Sequence, residues 1–447
     1  MQENTTSMSR RNLLKTSAAV SAAAVMASLG TNYAHAAARE TIRVGLIGCG
    51  GRGCGAAVDA CTADPKVEIW ALGDLFKDAL ERTEPDENGK PAARGAKPVL
   101  KAAIAEIQNG GKYAVTDDRC FVGWDAYKQV LAQDIDYVIL ATPPGFRPMM
   151  AAAAIEAGKH VFAEKPVAVD PVGCRKFMEL GEAAAKKNLC LVAGTQRRHQ
   201  EEYLKTIKQL QDGAIGDILA GYVYWMQGGT RGTPRKSGWS DVEWQIRNWP
   251  YFVWLSGDHI VEQHVHQADV MNWVMGGHPK QAMAMGGRAA RFAPEFGQIY
   301  DHFCVEYEYD EGRRVYSLAR QTEGAYGRIR EQFVGTKGWA YAEGLIVNDK
   351  KRTRIPKGGS AYVQEHADLI AAIRAGKPLN EAQTVAESCL TAVMGRISAY
   401  TGRLVRWIDV TDPKGPFTNL DLWPKQLGFD TPLPIAPVPI PGQTPQA

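Results

Sequence analysis

Thr41-Ile42-Arg43-Val44-Gly45-Leu46-Ile47-Gly48-Cys49-Gly50-Gly51-Arg52-Gly53 decides the fold. Thr41 to Ile47 is apolar enough for a buried strand, and the glycines behind it open a helix predicted from about Cys54 to Ala63. A second strand, Val67 to Leu72, leads to Asp74. Glycines in such a turn let backbone N–H groups approach a pyrophosphate at the helix N-terminus. Asp74 stands 21 residues past Gly53, near the spacing of about 20 expected of a carboxylate that accepts from the adenosine ribose 2'-hydroxyl. A carboxylate there repels a 2'-phosphate, so the expected cofactor is NAD, contacted by Gly48, Gly50, Gly51, Arg52, Gly53 and Asp74.

The alternation continues downstream. Helices over Asp125–Gln133, Arg147–Ala157 and Pro171–Lys187 interleave with strands over Asp136–Ala141, His160–Ala163 and Leu189–Ala193. That order predicts an α/β fold with a doubly wound parallel sheet, whose ligands gather at the carboxyl ends of its strands. Three such ends are Thr142-Pro143-Pro144, Glu164-Lys165-Pro166 and Gly194-Thr195-Gln196-Arg197-Arg198, which adds Thr142, Pro143, Glu164, Lys165 and Gln196 to the cofactor contacts. Glu81 to Lys112 looks like a charged insertion, helical from Leu100 to Gln108.

Beyond Gln200 the strands become longer and richer in Tyr and Trp: Ile218–Met226, Asp301–Tyr309, Arg314–Gln321 and Arg328–Val334. They predict a second, α+β domain built on an open, largely antiparallel sheet, closed by a helix from Ala382 to Thr401. Pro432, Pro434, Pro437, Pro439 and Pro441 mark an extended or disordered tail after Asp412. The expected division is therefore a leader over 1–36, an NAD-binding domain over 37–199, a substrate and oligomerisation domain over 200–411 and an arm over 412–447.

The leader reading rests on Ser9-Arg10-Arg11-Asn12-Leu13-Leu14-Lys15, a small-residue apolar run to Gly30, and Ala34-His35-Ala36. This resembles a twin-arginine export signal with an Ala-x-Ala cleavage site, placing the mature protein in the periplasm or otherwise outside the cytoplasm. No other stretch reads as a membrane span. Apolar residues make up 45% of the 447-residue chain and charged ones 23%, which excludes disorder or a coiled coil for the bulk of it. A net charge of +3 without a basic, aromatic-interleaved patch gives nucleic-acid binding no support. The eight cysteines form no zinc-like or disulfide pattern and read as small buried hydrophobes.

Taken together, Val44 to Gly53, Gly158-Lys159-His160-Val161-Phe162-Ala163-Glu164-Lys165-Pro166, Gly213-Ala214-Ile215-Gly216-Asp217 and His264-Val265-His266-Gln267-Ala268-Asp269 resemble the glucose-fructose oxidoreductase / inositol dehydrogenase / rhizopine-catabolism family. The resemblance implies a sugar or polyol as the small-molecule substrate, and a dimer or tetramer. It implies that Lys165 contacts substrate and nicotinamide, that a cis bond precedes Pro166, and that His266 is the general acid/base. The family's Asp four residues before that His is Glu262 here, and His264 replaces a usual Gly.

Asp258, His259, Glu262, His264 and His266 place five potential metal ligands within nine residues. Zinc or manganese is the alternative to hydrogen-bonded acid/base work, which the family resemblance favours without a metal. On a continuous helix His264 would point away from Glu262 and His266. Substrate contacts are expected from Arg198, Tyr224, Arg247 and His264, with Arg197, Trp225, Gln227 and Trp249 as further candidates. Two reactions fit: net oxidation of a carbohydrate hydroxyl with the cofactor regenerated in place, or glycoside hydrolysis through transient oxidation, elimination and re-reduction.

Overall fold

The computed structural model describes residues 40–82 and 95–444. The leader, its cleavage site and part of the charged insertion lie outside the described residues.

Seven strands form the first sheet: β1 (Ile42–Ile47), β2 (Val67–Asp74), β3 (Lys112–Tyr113), β4 (Cys120–Val122), β5 (Tyr137–Leu140), β6 (His160–Ala163) and β7 (Leu191–Ala193). All pairings are parallel, in the order β3-β2-β1-β5-β6-β7, with β4 also on β2. This is the doubly wound sheet expected. Its central strands are buried on both faces, which explains why β5 reads Tyr-Val-Ile-Leu without alternation. The first helix runs from Gly51 to Ala63, three residues earlier than the apolar pattern suggested. Gly50 caps it, and the preceding Gly48 takes φ +93°. A side chain at Gly48 would be strained there and its Cβ would lie 2.6 Å from the Ala141 backbone, so only glycine lets β1 turn this tightly past β5.

The second sheet has nine strands: β8 (Ile218–Gln227), β9 (Gln281–Gly287), β10 (His302–Glu308), β11 (Arg314–Gln321), β12 (Arg328–Gly335), β13 (Gly338–Tyr341), β14 (Leu345–Asn348), β15 (Arg352–Arg354) and β16 (Val405–Arg406). The order is β15-β14-β13-β12-β8-β11-β10-β9-β16, antiparallel except between β8 and β11. One face packs on the Val265–Met275 and Ala382–Thr401 helices, the latter buried almost throughout.

Two features escaped the sequence reading. The helix Ala361–Ala375 leaves the second sheet and packs on Gly51–Ala63, adding Leu369, Ile370 and Ile373 to the core around Val44 and Ala57. The Pro-rich tail holds no helix or strand among its described residues from 412 to 444, yet it is not loose in this structure. It runs over its own chain, where Arg175 donates to the Thr418 carbonyl at 2.5 Å and Tyr300 donates to the Pro439 carbonyl at 2.9 Å. Pro lacks an N–H but keeps its carbonyl as an acceptor, so such a tail can be fixed by donors from outside it.

Candidate active site

A groove of about 720 Å³ opens along the carboxyl ends of the first sheet, lined among others by Gly48, Gly50, Asp74, Thr142 and Pro143 on one side and Trp239, Arg247 and Trp249 on the other. Neither Gly50 nor Gly51 has a heavy atom near the place a Cβ would take, so the first turn of the helix faces open space. Those free amide ends suit the phosphates of a dinucleotide. The Asp74 carboxylate accepts from the amides of Cys49 at 2.7 Å and Phe76 at 3.0 Å, which fixes it at the strand end. Burial raises its pKa, and the two amides hold it down against that trend. The residues present therefore fit NAD.

Arg52 turns along the helix rather than into the groove. Its Nε lies 2.7 Å from Glu164 Oε1 and its Nη2 2.9 Å from Asp59, with the guanidinium 4.9 Å from the Tyr362 ring centre. Gln196 donates to the same Tyr362 hydroxyl at 3.4 Å. Arg52, Glu164 and Gln196 thus form one cluster at the carboxyl ends of β6 and β7, tied to the Ala361–Ala375 helix.

At the end of β6 the Lys165–Pro166 bond is cis. The buried Arg147 donates to the Pro166 carbonyl at 2.6 Å, and burial lowers its pKa to about 10. Lys165 Nζ donates to Glu262, at 2.7 Å to the backbone carbonyl and 3.1 Å to Oε1. Burial, then the Lys165 charge, push the His266 pKa well below 6.5, so its imidazole is neutral at neutral pH. The structure brings Lys165, Glu262 and His266 together.

Glu262 ends a short helix, His259–Glu262, and a new helix starts at Val265. The break at Gln263 and His264 replaces the continuous i, i+4 face considered above. His264 sits at the break, pointing into the second sheet, where Nε2 meets Ser317 Oγ on β11. Burial lowers its pKa to about 3. Among the described residues no group of three or more His, Cys, Asp and Glu is arranged to hold a metal ion.

Three of the expected substrate contacts have partners within the chain. Arg198 is held by Asp269 through two bonds, 3.0 and 2.9 Å, with its guanidinium over Trp273. It is anchored to the helix that carries His266. Arg247 pairs with Asp78 at 3.0 Å and covers the Phe76 ring, so it lies at the Asp74 end of the groove. Tyr224 is on the face of β8 away from His266: its neighbour Trp225 stacks on His266, ring centres 5.5 Å apart, while Tyr224 lies under Arg328. Side chains alternate along a strand, so the two adjacent aromatics cannot share a face. Arg147 and Tyr362 were missed, and neither has a local sequence signal beyond its position near a strand end or helix start.

A parallel sheet with a glycine-rich phosphate turn, joined to a second sheet against which packs a helix carrying the buried His266, defines a nucleotide-binding oxidoreductase architecture. The chain belongs to the GFO/IDH/MocA family. Residues 42–195 match the model of the oxidoreductase family, NAD-binding Rossmann fold, and residues 203–341 match the GFO/IDH/MocA C-terminal domain. Residues 7–27 match the twin-arginine translocation signal, so the protein is exported by that pathway. No helix among the described residues is long and apolar enough to cross a membrane.

One relative, the 2,7-anhydro-N-acetylneuraminate hydratase of Mediterraneibacter gnavus, is 28% identical over 47% of this chain and 52% of its own. A glycosyl hydrolase family 109 protein of Shewanella baltica is 28% identical over 53% of this chain and 51% of its own. The chain spans about half the length of these curated relatives. The crystal structure of GenD2 from gentamicin A biosynthesis, in complex with NAD, aligns with a TM-score of 0.61 at 18% identity, covering 82% of this chain and 97% of that one. That likeness is one of fold.

Proposed function

We propose that this exported protein is an NAD-dependent enzyme acting on a hydroxyl of a sugar, glycoside or polyol, with the cofactor tightly bound and regenerated within each cycle. The observation that carries the reading is the Lys165 ammonium, held by Glu262 at the end of β6 and close enough to the buried His266 for its charge to act there. Lys165 would hold the substrate oxygen and favour its alkoxide form, and His266 would take and return the hydroxyl proton. Glu262 keeps the ammonium in place. Trp225 fixes the imidazole plane and offers an apolar face for sugar C–H groups. NAD supplies a reversible hydride acceptor, and Asp74 favours it over NADP. Gly48, Gly50, Gly51, Gly53, Thr142 and Pro143 would cradle it, with Arg52, Glu164 and Gln196 supporting the turn from behind.

A second reading has a specific motive. The relatives just described are a hydratase and a glycosyl hydrolase by name, and the same proton-handling pair would serve a redox-neutral cycle of oxidation, elimination and re-reduction on a glycoside. Denaturing the exported protein and weighing the released nucleotide by mass spectrometry comes first. Near-stoichiometric NAD(H) is expected, and no nucleotide even after adding NAD would sink both readings. Glycoside cleavage without an oxidised product would then select the hydrolase.

Residues 37–199 would serve the nucleotide and 200–411 the substrate and self-association. The sheet face carrying Met283 and Met285, 57% and 73% exposed, suits a dimer or tetramer. Light scattering of a Met283→Glu/Met285→Glu protein should then report a smaller particle than the wild type.

A further inference from the structure

We propose that the C-terminal arm is an intramolecular strap across the adenosine end of the nucleotide groove, in which Phe429 acts as a positioning residue through Phe76 and Trp124. The proposal rests on the reading that this groove takes NAD.

Phe76 and Trp124 line the groove together with Asp74. The Phe429 ring reaches both, with centroids 5.1 Å from Trp124 and 6.1 Å from Phe76. Phe76 is no ordinary wall residue. Its backbone amide donates to Asp74 Oδ1 at 3.0 Å, and the Arg247 guanidinium lies 3.8 Å from its ring centre. The arm therefore packs on the residue that orients the carboxylate expected to meet the ribose. Loss of the Phe429 ring would leave that wall with an apolar gap and free rotamers, both of which loosen a preorganised site.

The arm is fixed on both sides of Phe429. Upstream, the Leu422 amide donates to Asp170 at 2.9 Å, and Trp423 meets Phe146 and Trp254 edge-on at 5.1 and 5.8 Å. Downstream, Leu433 donates to Asp241 at 3.1 Å and accepts from Gln245 at 2.6 Å. Asp241 and Gln245 lie on the Asp241–Arg247 helix, which also carries Arg247 on the far wall of the groove. The strap thus joins the first sheet's wall to the second body's wall, and widening the groove strains these bonds. A dinucleotide would leave slowly, as suits an enzyme working where no nicotinamide pool is expected.

The test uses the full chain, freed of nucleotide and titrated calorimetrically with NAD, ADP-ribose and nicotinamide mononucleotide. Phe429→Ala should weaken NAD and ADP-ribose by about ten-fold, ~1.4 kcal/mol, and raise the NAD release rate in proportion, while nicotinamide mononucleotide binds as to the wild type. Phe429→Trp should restore both adenosine ligands. Unchanged ADP-ribose binding in Phe429→Ala overturns the strap, and so does an equal loss for all three ligands, which would mark general loosening. Should Phe429→Ala fail to fold, Phe429→Leu, which keeps apolar volume but no ring, should show the same selective loss at smaller size, and equal binding of all three ligands overturns the proposal. A wild-type protein that binds none of the three defeats the NAD reading itself, and the strap with it.

Discussion

Lys165 Nζ reaches Glu262 twice, through the backbone carbonyl at 2.7 Å and through Oε1 at 3.1 Å. Only the second bond depends on the side chain. Lys165→Ala should lower turnover by roughly 10²–10⁴-fold, the usual scale of acid–base assistance, with bound nucleotide retained. Glu262→Ala keeps the carbonyl contact and should lose less, on the order of ten-fold for one charge-assisted bond. Initial rates on the carbohydrate identified by product analysis decide this, and equal rates for Lys165→Ala and wild type would remove the catalytic assignment.

Trp225 and Tyr224 are neighbours in sequence on opposite faces of β8. Trp225→Leu removes the ring stacked on His266 and should reduce kcat/KM by about ten-fold through a less well-oriented imidazole. Tyr224→Leu should leave kcat/KM at the wild-type value. A reversed pattern would mean that substrate reaches the other face of the sheet.

Asp74 bonds two amides and has a carboxylate facing the groove. Asp74→Ala should weaken NAD by roughly ten-fold, the cost of about one hydrogen bond to a charged group, and weaken NADP less, because the repulsion of its 2'-phosphate goes too. Titration of both dinucleotides measures the ratio. An unchanged preference would place selection elsewhere.

Buried histidines set the acid limb of stability. Burial holds His366 to a pKa of about 3 and His264 to about 3, against 6.5 when unfolded. Each depressed pKa means that below about pH 6.5 the unfolded chain binds a proton the native state refuses. Stability present above pH 6.5 is therefore lost on acidification, by about 1.4 kcal/mol per pH unit for each such histidine. Asp258, raised to about 6 by burial, opposes this, since it favours the native state at low pH and the benefit fades as pH rises through 6. His366→Phe, which preserves the stacking on Phe162, should flatten the slope of unfolding free energy between pH 6.5 and 5 by about one histidine's share. Urea unfolding at several pH values reads it directly, and an unaltered slope would show that His366 titrates normally.

The first sheet was legible because its strands carry period, length and glycine punctuation locally. Lys165 and His266 are candidates because each stands in a short motif, Glu164-Lys165-Pro166 and His264-Val265-His266. What escaped depends on contacts between distant residues. The kink at His264 is fixed by its bond to Ser317, far off in sequence, and nothing in the residues around His264 announces it. Tyr224 and Trp225 are equally aromatic, so only the pairing of β8 with β11 and β12 tells which one faces His266. Arg198 and Arg247 carry no sequence sign of Asp269 and Asp78, the distant carboxylates that hold them. The prolines of the tail predict an extended or disordered segment and say nothing of what it packs on. Its isolated apolar residues, Phe417, Trp423 and Phe429, instead find partners already built by the rest of the chain.

The helix Ala361–Ala375 is encoded after the second sheet but completes the core of the first, where Leu369, Ile370 and Ile373 meet the Gly51–Ala63 helix. The nucleotide-binding half is therefore no transferable cassette. A gene fragment ending at residue 199 would leave the helix bearing the phosphate turn with a bare apolar flank, and swapping that fragment between relatives would mate it with a foreign buttress. Engineers who wish to exchange cofactor or substrate halves must move residues 361–375 with the first half, although the coding order joins them to the second.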